Sequence, residues 1–482
     1  MGQPLEAQDY PALDSLLRRR WGDLWLIGPH AQAFWPCLEQ IASLLQTHPA
    51  TNRWQPKPAV LVAESDPIRY LAMVLAAHWQ GHTVVLANPQ WGQQEWRQVQ
   101  SLVQPERAQP LIDGPELYLC QGIQTSLSPE LLIATGGTTG QIKFARHTWA
   151  TLMASVRGFR AHFGVAVVNA YCVLPLHHVS GLMQGLRVLA SGGRLAIQPY
   201  SDLKQGQILE LPADRFLSLV PTQLQGLLSQ GNGYLSWLSN FRAVLLGGAA
   251  PWPALLEEAR RFQIPLALTY GMTETASQIA TLLPDEFLAG HTSSGRVLPH
   301  AKIQVLTDHG HQQIAPHSDG RVGALLIEAE SLFKGYWMSG SPAAYAPEKG
   351  QFLSDDLGYL DDNGYLYLLG RQSTKIITGG ENVFPEDVEA ALLATGYVQQ
   401  VCVVGKPDSK WGQAVCALVV FSANVGTLEM LVSRFRVQLA PHKQPKHWIL
   451  LSALPMNAQG KIDRRQALKW AEAILDPPKR GA

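Results

Sequence analysis

Residues 131–149 read LLIATGGTTGQIKFARHTW. Leu131 to Ala134 form a short apolar run bounded by glycine, the pattern of a buried strand. Gly136, Gly137 and Gly140 permit backbone angles closed to other residues, so successive N–H groups can turn toward an anion. Thr135, Thr138 and Thr139 add hydroxyl donors, and Lys143 adds a point charge. This is not a Walker loop, which needs lysine directly after its last glycine; here Gln141 and Ile142 intervene. A glycine- and threonine-rich turn of this kind fits a phosphate cradle and an ordinary polar turn alike. The flanking sequence has to choose between them.

Downstream and upstream, strand-like and helix-like segments alternate from Lys57 onward. AVLVAES reads as a strand, and DPIRYLAMVLAAHWQG as a helix capped by Asp66, with Pro67 at its first position and Gly81 at its end. TVVLANP is the next strand. The rhythm returns after Val165 through AYCVLPL, HHVSGLMQGLRVLASG, RLAIQPY, FLSLVPTQLQGLL, FRAVLLGGAA and PLALTYGMTET. Such βαβ succession implies a parallel sheet covered by helices. From His291 the pattern becomes short alternating runs with a DDNG turn at Asp361–Gly364, the signature of β-hairpins. Composition changes again near residues 370–373, and a smaller α/β unit follows, with a last helix expected through Leu431 to Leu439. The expected fold class is therefore α/β: a large unit of parallel-rich sheets covered by helices, a β-hairpin-rich part at about 291–370, and a small carboxy-terminal α/β unit.

Composition excludes several functions. The 482 residues are 46% hydrophobic and 16% charged, with 38 basic and 38 acidic side chains, so nothing recommends nucleic acid or an anionic membrane as partner. No apolar run approaches the roughly 18–20 residues that span a bilayer, and the first twenty residues do not resemble a signal peptide. Five scattered cysteines without a C-x-x-C pair indicate neither zinc nor a disulfide framework, and a reducing cytoplasm is the simplest setting.

Five further stretches bear on chemistry. TYGMTETAS follows a predicted strand end, where α/β sheets place ligands; it offers Tyr270 for stacking, Gly271, Thr273, and in Glu274 a hard oxygen ligand for Mg²⁺. LLGGAAP sets Gly247 and Gly248 at another strand end. FLSDDLGYLDDNGYLYLLGR carries Asp356, able to accept two ribose hydroxyls, and Arg371. KIITGGENVFPEDVE pairs Gly379 and Gly380 ahead of a helix, and LPMNAQGKIDR sets Lys461 near the carboxy terminus. Each alone is also what a turn, a helix entry or a solvated tail looks like.

In their order and spacing, these stretches resemble the adenylate-forming superfamily of acyl-CoA synthetases, peptide-synthetase adenylation domains and luciferases, from about Val60 to Arg465. TGGTTGQIK is similar to that family's phosphate loop, TYGMTE to its nucleotide motif and SDDLG to its T-G-D segment. GRQSTKIITGGENVFPEDVE is similar to its hinge motif, and MNAQGKIDR to its lysine motif. Within the superfamily, LPLHHVSGL, SLVPTQL, LLGGAA and GMTETASQI resemble most the o-succinylbenzoate–CoA ligases of menaquinone and phylloquinone synthesis.

The resemblance implies activation of a small-molecule carboxylate by ATP and Mg²⁺ as acyl-AMP, then transfer to coenzyme A. It implies that Lys461 bridges carboxylate and α-phosphate, that Thr135 to Lys143 hold the outer phosphates, and that Glu274 holds Mg²⁺. Tyr270 would stack on adenine, Asp356 and Arg371 bind ribose, and Gly247 and Gly248 line the pocket. It places residues 1–371 in a large domain and 372–482 in a small mobile one, hinged near Ser373, with Gly379 and Gly380 making room for the thiol arm. His178 would stand between acyl pocket and thiol tunnel, and Ser180, Ser277 and Gln278 are candidates for distal polar groups of the acid. Two departures carry expectations: Ile142, where the family usually has proline, loosens the turn, and Asp355 adds a charge near the ribose. Another aryl- or medium-chain acyl-CoA ligase, and a catalytically silent adenylate binder, stay open as rival readings.

Overall fold

A computed structural model describes residues 11–47, 57–107, 117–120, 123, 128–136, 142–306, 322–338, 346–378, 381–408, 410–422, 427–436, 439, 441–457 and 461–476. The βαβ rhythm organises its largest sheet. Six parallel strands lie in the spatial order Leu26–Ile27, Leu195–Ile197, Asn169–Cys172, Arg215–Leu219, Ala243–Leu246 and Leu266–Met272. Antiparallel strands Ser277–Thr281 and Arg296–Val297 close the far edge. A seven-stranded mixed sheet is centred on Ala59–Val62, Val84–Leu86 and Glu130–Gly136.

Helices Pro67–Trp79, Trp149–Phe163 and Val179–Ser191 pack into the core that the two sheets share. Strand alternation divides that burial: Val60 and Val62 join the shared core, whereas Ala59 and Leu61 face a second one with Trp91 and Phe144. Strands buried on both faces read as unbroken apolar runs, which is why AVLV was legible. Asp66 caps the first of these helices, its carboxylate accepting from the N–H groups of Ile68 and Arg69 at 2.9 Å.

The hairpin-rich part is a four-stranded antiparallel sheet of Ala301–Leu306, Gly323–Ala329, Gln351–Leu360 and Leu366–Arg371. Its last turn runs through Asp361 and Gly364, as the DDNG motif predicts. Beyond the 3₁₀ turn Gln372–Thr374 the chain enters a separate five-stranded sheet, covered on one face by helix Pro385–Ala394 and on the other by Arg464–Leu475.

The structure corrects two expectations of local structure. The strand expected at Leu131 to Ala134 runs longer, Glu130–Gly136, and forms an antiparallel hairpin with Ile142–Thr148 that pairs Thr135 with Lys143. Ile133, Ala134, Phe144 and Ala145 bury both strands on both faces, a requirement of tertiary packing that hid the second strand from local reading. The helix expected through Leu431 to Leu439 is Leu428–Arg436. Among the described residues no helix is long and apolar enough to cross a membrane, and all five cysteines are buried and unpaired.

Candidate active site

Three strand ends and one carboxy-terminal turn converge. Glu274 lies in the 3₁₀ turn that follows strand Leu266–Met272 and is 7% exposed. Tyr336 Oη donates to its Oε1 at 2.5 Å, and Thr135 Oγ1 makes a longer 3.5 Å contact with the same oxygen. The backbone is fixed from both sides: Phe333 N–H donates to Glu274 O at 2.9 Å, and buried His147 Nε2 donates to Thr273 O at 2.7 Å. Lys143 Nζ lies 3.6 Å from the centroid of the Tyr336 ring. Burial depresses the Lys143 ammonium, Glu274 raises it and Arg371 lowers it further.

A second cluster forms around Asp356. Its Oδ2 accepts from Tyr270 Oη at 2.8 Å and its Oδ1 from Arg371 Nε at 3.2 Å. Register makes this contact, because Asp356 and Arg371 are directly opposite in the hairpin Gln351–Leu360/Leu366–Arg371. Burial, then the Asp356 carboxylate, pushes the Tyr270 phenol far above its ordinary range, so it stays a donor.

Lys461 reaches these clusters from the carboxy-terminal turn ahead of helix Arg464–Leu475. Its backbone is pinned by Asn457, whose Oδ1 accepts from Lys461 N–H at 2.9 Å while Asn457 N–H donates to Lys461 O at 2.7 Å. The side chain is open to water, yet protein surrounds it closely enough to depress the ammonium. Arg371 depresses it further, while Glu274 and Asp356 raise it. Burial and then Lys461 pull His178 down to about 4, keeping that imidazole neutral near pH 7. A lysine of the carboxy-terminal unit thus stands in the field of two carboxylates, an arginine and a histidine held elsewhere.

Residues 123–337 match the model of the AMP-binding enzyme family, and residues 387–461 match its carboxy-terminal domain. A 2-succinylbenzoate–CoA ligase of Geobacillus kaustophilus is 36% identical over 70% of this chain and 68% of its own. One of Bacillus anthracis is 31% identical over 90% and 93%. The chain belongs to the AMP-binding enzyme family. The o-succinylbenzoate CoA synthetase of Bacillus subtilis, solved with the acyl-adenylate OSB-AMP, superimposes on this AMP-binding enzyme with a TM-score of 0.76 at 26% identity, covering 94% of this chain and 97% of that one. The same synthetase solved with ATP and a magnesium ion gives 0.74 at 25% identity, over 94% and 98%.

Not every residue anticipated for an AMP-binding enzyme joins the cluster. Gly137, Thr138, Thr139, Gly140, Gly379 and Gly380 lie outside the described residues. Gly136 ends its strand opposite Ile142. Gly247 and Gly248 follow strand Ala243–Leu246 as expected. Gly271 has a visible structural reason: a Cβ there would meet Ser277 O at 2.2 Å, so only glycine lets the two strands approach. Gln278 follows Ser277 along the strand, and its buried amide donates to Thr281 Oγ1 at 2.8 Å. Asp355 is a correction. Alternation turns it away from Asp356, and its carboxylate accepts from Ser373 N–H at 3.1 Å and from the Ser373 hydroxyl, so its charge serves the chain crossing and not the ribose side. Ile142 opens the second strand of the hairpin; it is 5% exposed, and its N–H, which proline would lack, donates to Gln98 Oε1 at 3.0 Å, while the turn it was expected to loosen lies outside the described residues.

Sequence reasoning missed Arg187. Ser180, Gln184 and Arg187 fall on one face of helix Val179–Ser191 by their spacing. Arg187 is 2% exposed; its Nη2 donates to Ser277 Oγ at 3.1 Å, its guanidinium lies 4.2 Å from the Phe159 ring centroid, and its Nε has no partner among the described residues. Burial pulls it from the ordinary arginine range to about 9. Ser277 is held at φ +93 and Ala276 at +51, a left-handed pair without glycine that marks stored strain beside this cation. Among the described residues no carboxylate pairs with Arg187. The signal in sequence was one arginine inside an apolar helix, which snorkelling explains equally well.

Proposed function

We propose that this enzyme is an AMP-forming acid–thiol ligase that joins 2-succinylbenzoate to coenzyme A at the expense of ATP, as in menaquinone and phylloquinone synthesis. The observation that carries the reading is the convergence of Lys461 with Glu274, Asp356, Arg371 and His178. A carboxylate is a poor acyl donor because an oxide would have to leave. Its attack on the α-phosphorus of ATP expels pyrophosphate and forms a mixed anhydride; attack of the coenzyme A thiol then expels AMP. Charge develops on phosphate oxygens in the first step, so the chain's contribution is positioned electrostatics. Lys461 bridges the acid and α-phosphate, while Thr135, Gly136 and Lys143, with Gly137 to Gly140, hold the outer phosphates. Asp356, oriented by Tyr270 and Arg371, takes the ribose hydroxyls.

The donor set fits Mg²⁺. Glu274 offers one hard oxygen that accepts nothing among the described residues, and no group of three or more His, Cys, Asp and Glu side chains there could enclose a metal alone, which suits a cation carried by nucleotide phosphates. Bound there, Mg²⁺ would neutralise phosphate charge. At the other end, Arg187 with Ser180 and Ser277 gives a second carboxylate of the acid a buried cation to meet, which favours a dicarboxylate over a simple aryl or medium-chain acid. Residues 1–371 form the large domain and 372–482 the small one. Rotation about Ser373 withdraws Lys461 and brings Gly379 and Gly380 to the site for the thiol step. Five buried free thiols suit a reducing compartment, and we assign the enzyme to the cytoplasm.

Pyrophosphate release with Mg²⁺, ATP and a panel of o-succinylbenzoate, benzoate, 4-coumarate and octanoate tests the reading. Release should require o-succinylbenzoate, give the coenzyme A thioester when the thiol is added, and fall by about two to three orders of magnitude in Lys461→Ala. Equal turnover of monocarboxylates would discard the substrate assignment, and no release with any acid would discard the ligase.

A further inference from the structure

Tyr336 belongs to none of the motifs that pointed to the nucleotide site. It lies in a two-residue strand, Tyr336–Trp337, at the edge of the seven-stranded sheet, paired antiparallel with Phe144 and Ala145. Further backbone bonds lash the segment down: Lys334 N–H donates to Arg146 O at 2.7 Å and Arg146 N–H to Gly335 O at 3.0 Å. The ring is 6% exposed and packs on Phe333 at 4.7 Å between centroids. From this rigid seat its hydroxyl donates to Glu274 Oε1 at 2.5 Å while its face carries Lys143 Nζ at 3.6 Å.

Two consequences follow from that double engagement. Both donors to the Glu274 carboxylate, Tyr336 and Thr135, reach Oε1, so Oε2 accepts nothing among the described residues. Lys143 and Glu274 feel each other electrostatically, yet among the described residues they form no ion pair. An ammonium at liberty beside a buried carboxylate would pair with it and cancel the charge that a cation needs. The aromatic face gives the lysine another resting place, attractive enough to compete.

We propose that Tyr336 is a positioning residue that turns Glu274 Oε2 toward the divalent cation and keeps Lys143 from closing on that carboxylate before the nucleotide arrives. The proposal rests on the nucleotide reading of the site. The Tyr336 hydroxyl engages the carboxylate and its ring face the lysine, so the hydroxyl should govern binding of the metal–nucleotide complex and not of the nucleotide alone.

Equilibrium binding measures this without turnover. Mn²⁺ and ATP are titrated into the full-length chain, with free Mn²⁺ read by electron paramagnetic resonance and ATP alone titrated in EDTA by calorimetry. Tyr336→Phe keeps the ring and loses the hydroxyl; affinity for Mn²⁺·ATP should fall about tenfold, within the 10–100-fold range of carboxylate-orienting partners, while ATP in EDTA stays within about twofold. Tyr336→Leu loses the resting place as well, so Mn²⁺·ATP should weaken by about a further tenfold as Lys143 closes on Glu274. In a Glu274→Gln background, Tyr336→Phe should add nothing, a cycle that holds even if one variant is less stable. Parallel loss of both affinities in Tyr336→Phe, or unchanged Mn²⁺·ATP binding, would overturn the proposal. Wild-type chain that binds ATP but no Mn²⁺·ATP would overturn it too, and wild-type chain that binds neither would also remove the nucleotide reading beneath it.

Discussion

Replacing Arg187 with methionine should make the protein more stable and less able to use its substrate. Burial draws this guanidinium down to about 9. More than three decades of lost proton affinity correspond to about 5 kcal/mol spent holding the charge in its buried seat. Part is returned by the Phe159 ring, worth about 1–2 kcal/mol, and part by the Ser277 hydroxyl, worth about 1.5–3 kcal/mol. Methionine refills most of the volume, so the variant should gain about 1 kcal/mol at neutral pH. The linkage has a definite sign. The penalty is complete below the folded value of about 9 and is relieved as the folded group deprotonates above it, so the two proteins should converge in stability from pH 9 upward. With o-succinylbenzoate the variant loses a buried charge-assisted pair, which costs about 2–5 kcal/mol, or roughly 30- to several thousand-fold in kcat/KM. Urea melts at pH 7 and 10, together with kcat/KM for the dicarboxylate and for an analogue lacking the succinyl carboxylate, decide the matter. A variant that is less stable by 2 kcal/mol or more and loses activity on both acids alike would refute the reasoning, because Arg187 would then be a structural cation.

Other perturbations follow from the same geometry. His147, fully buried, is lowered by burial to about 4 against 6.5 unfolded, so its contribution is present above pH 6.5 and is lost as pH falls toward 4. Urea midpoints across that window should therefore drop, and a His147→Gln variant should drop less steeply. Asp355→Ala removes both hydrogen bonds to Ser373; single-turnover acyl-adenylate formation should slow about fivefold, for roughly 1 kcal/mol of lost positioning, while thioester formation from supplied acyl-adenylate holds its rate. Gly271→Ala forces a Cβ to within 2.2 Å of Ser277 O, and the two strands must part; soluble yield and melting temperature should both fall, with ATP affinity lost in whatever protein remains.

Local rules carried the reading a long way. Apolar runs such as AVLV and AVLL announce strands buried on both faces, and Asp66–Pro67 announces a helix start, because each signal is contained in a few adjacent residues. Asp356 and Arg371 were legible for the same reason: a short hairpin places them opposite each other. What escaped is long-range. Tyr336 meets Glu274 across 62 positions and Arg187 meets Ser277 across 90, and neither tyrosine before tryptophan nor arginine in an apolar helix betrays such a partner. Asp355 was misread because the chemistry of a residue type was considered without the alternation that sets which way it faces.

The path of the chain between its two parts has a consequence of its own. Residues 372–375 cross from the four-stranded to the five-stranded sheet, and the cores on either side of the five-stranded sheet draw only on residues from 376 onward. A cut at the crossing would leave every one of those cores whole, with Ala390 and Leu393 still shaped to pack against the larger part. Two co-produced fragments would then meet as separate molecules, and the arrival of Lys461, until then a matter of tethering, would become a matter of concentration. Dilution would switch off carboxylate activation without disturbing either fragment's fold.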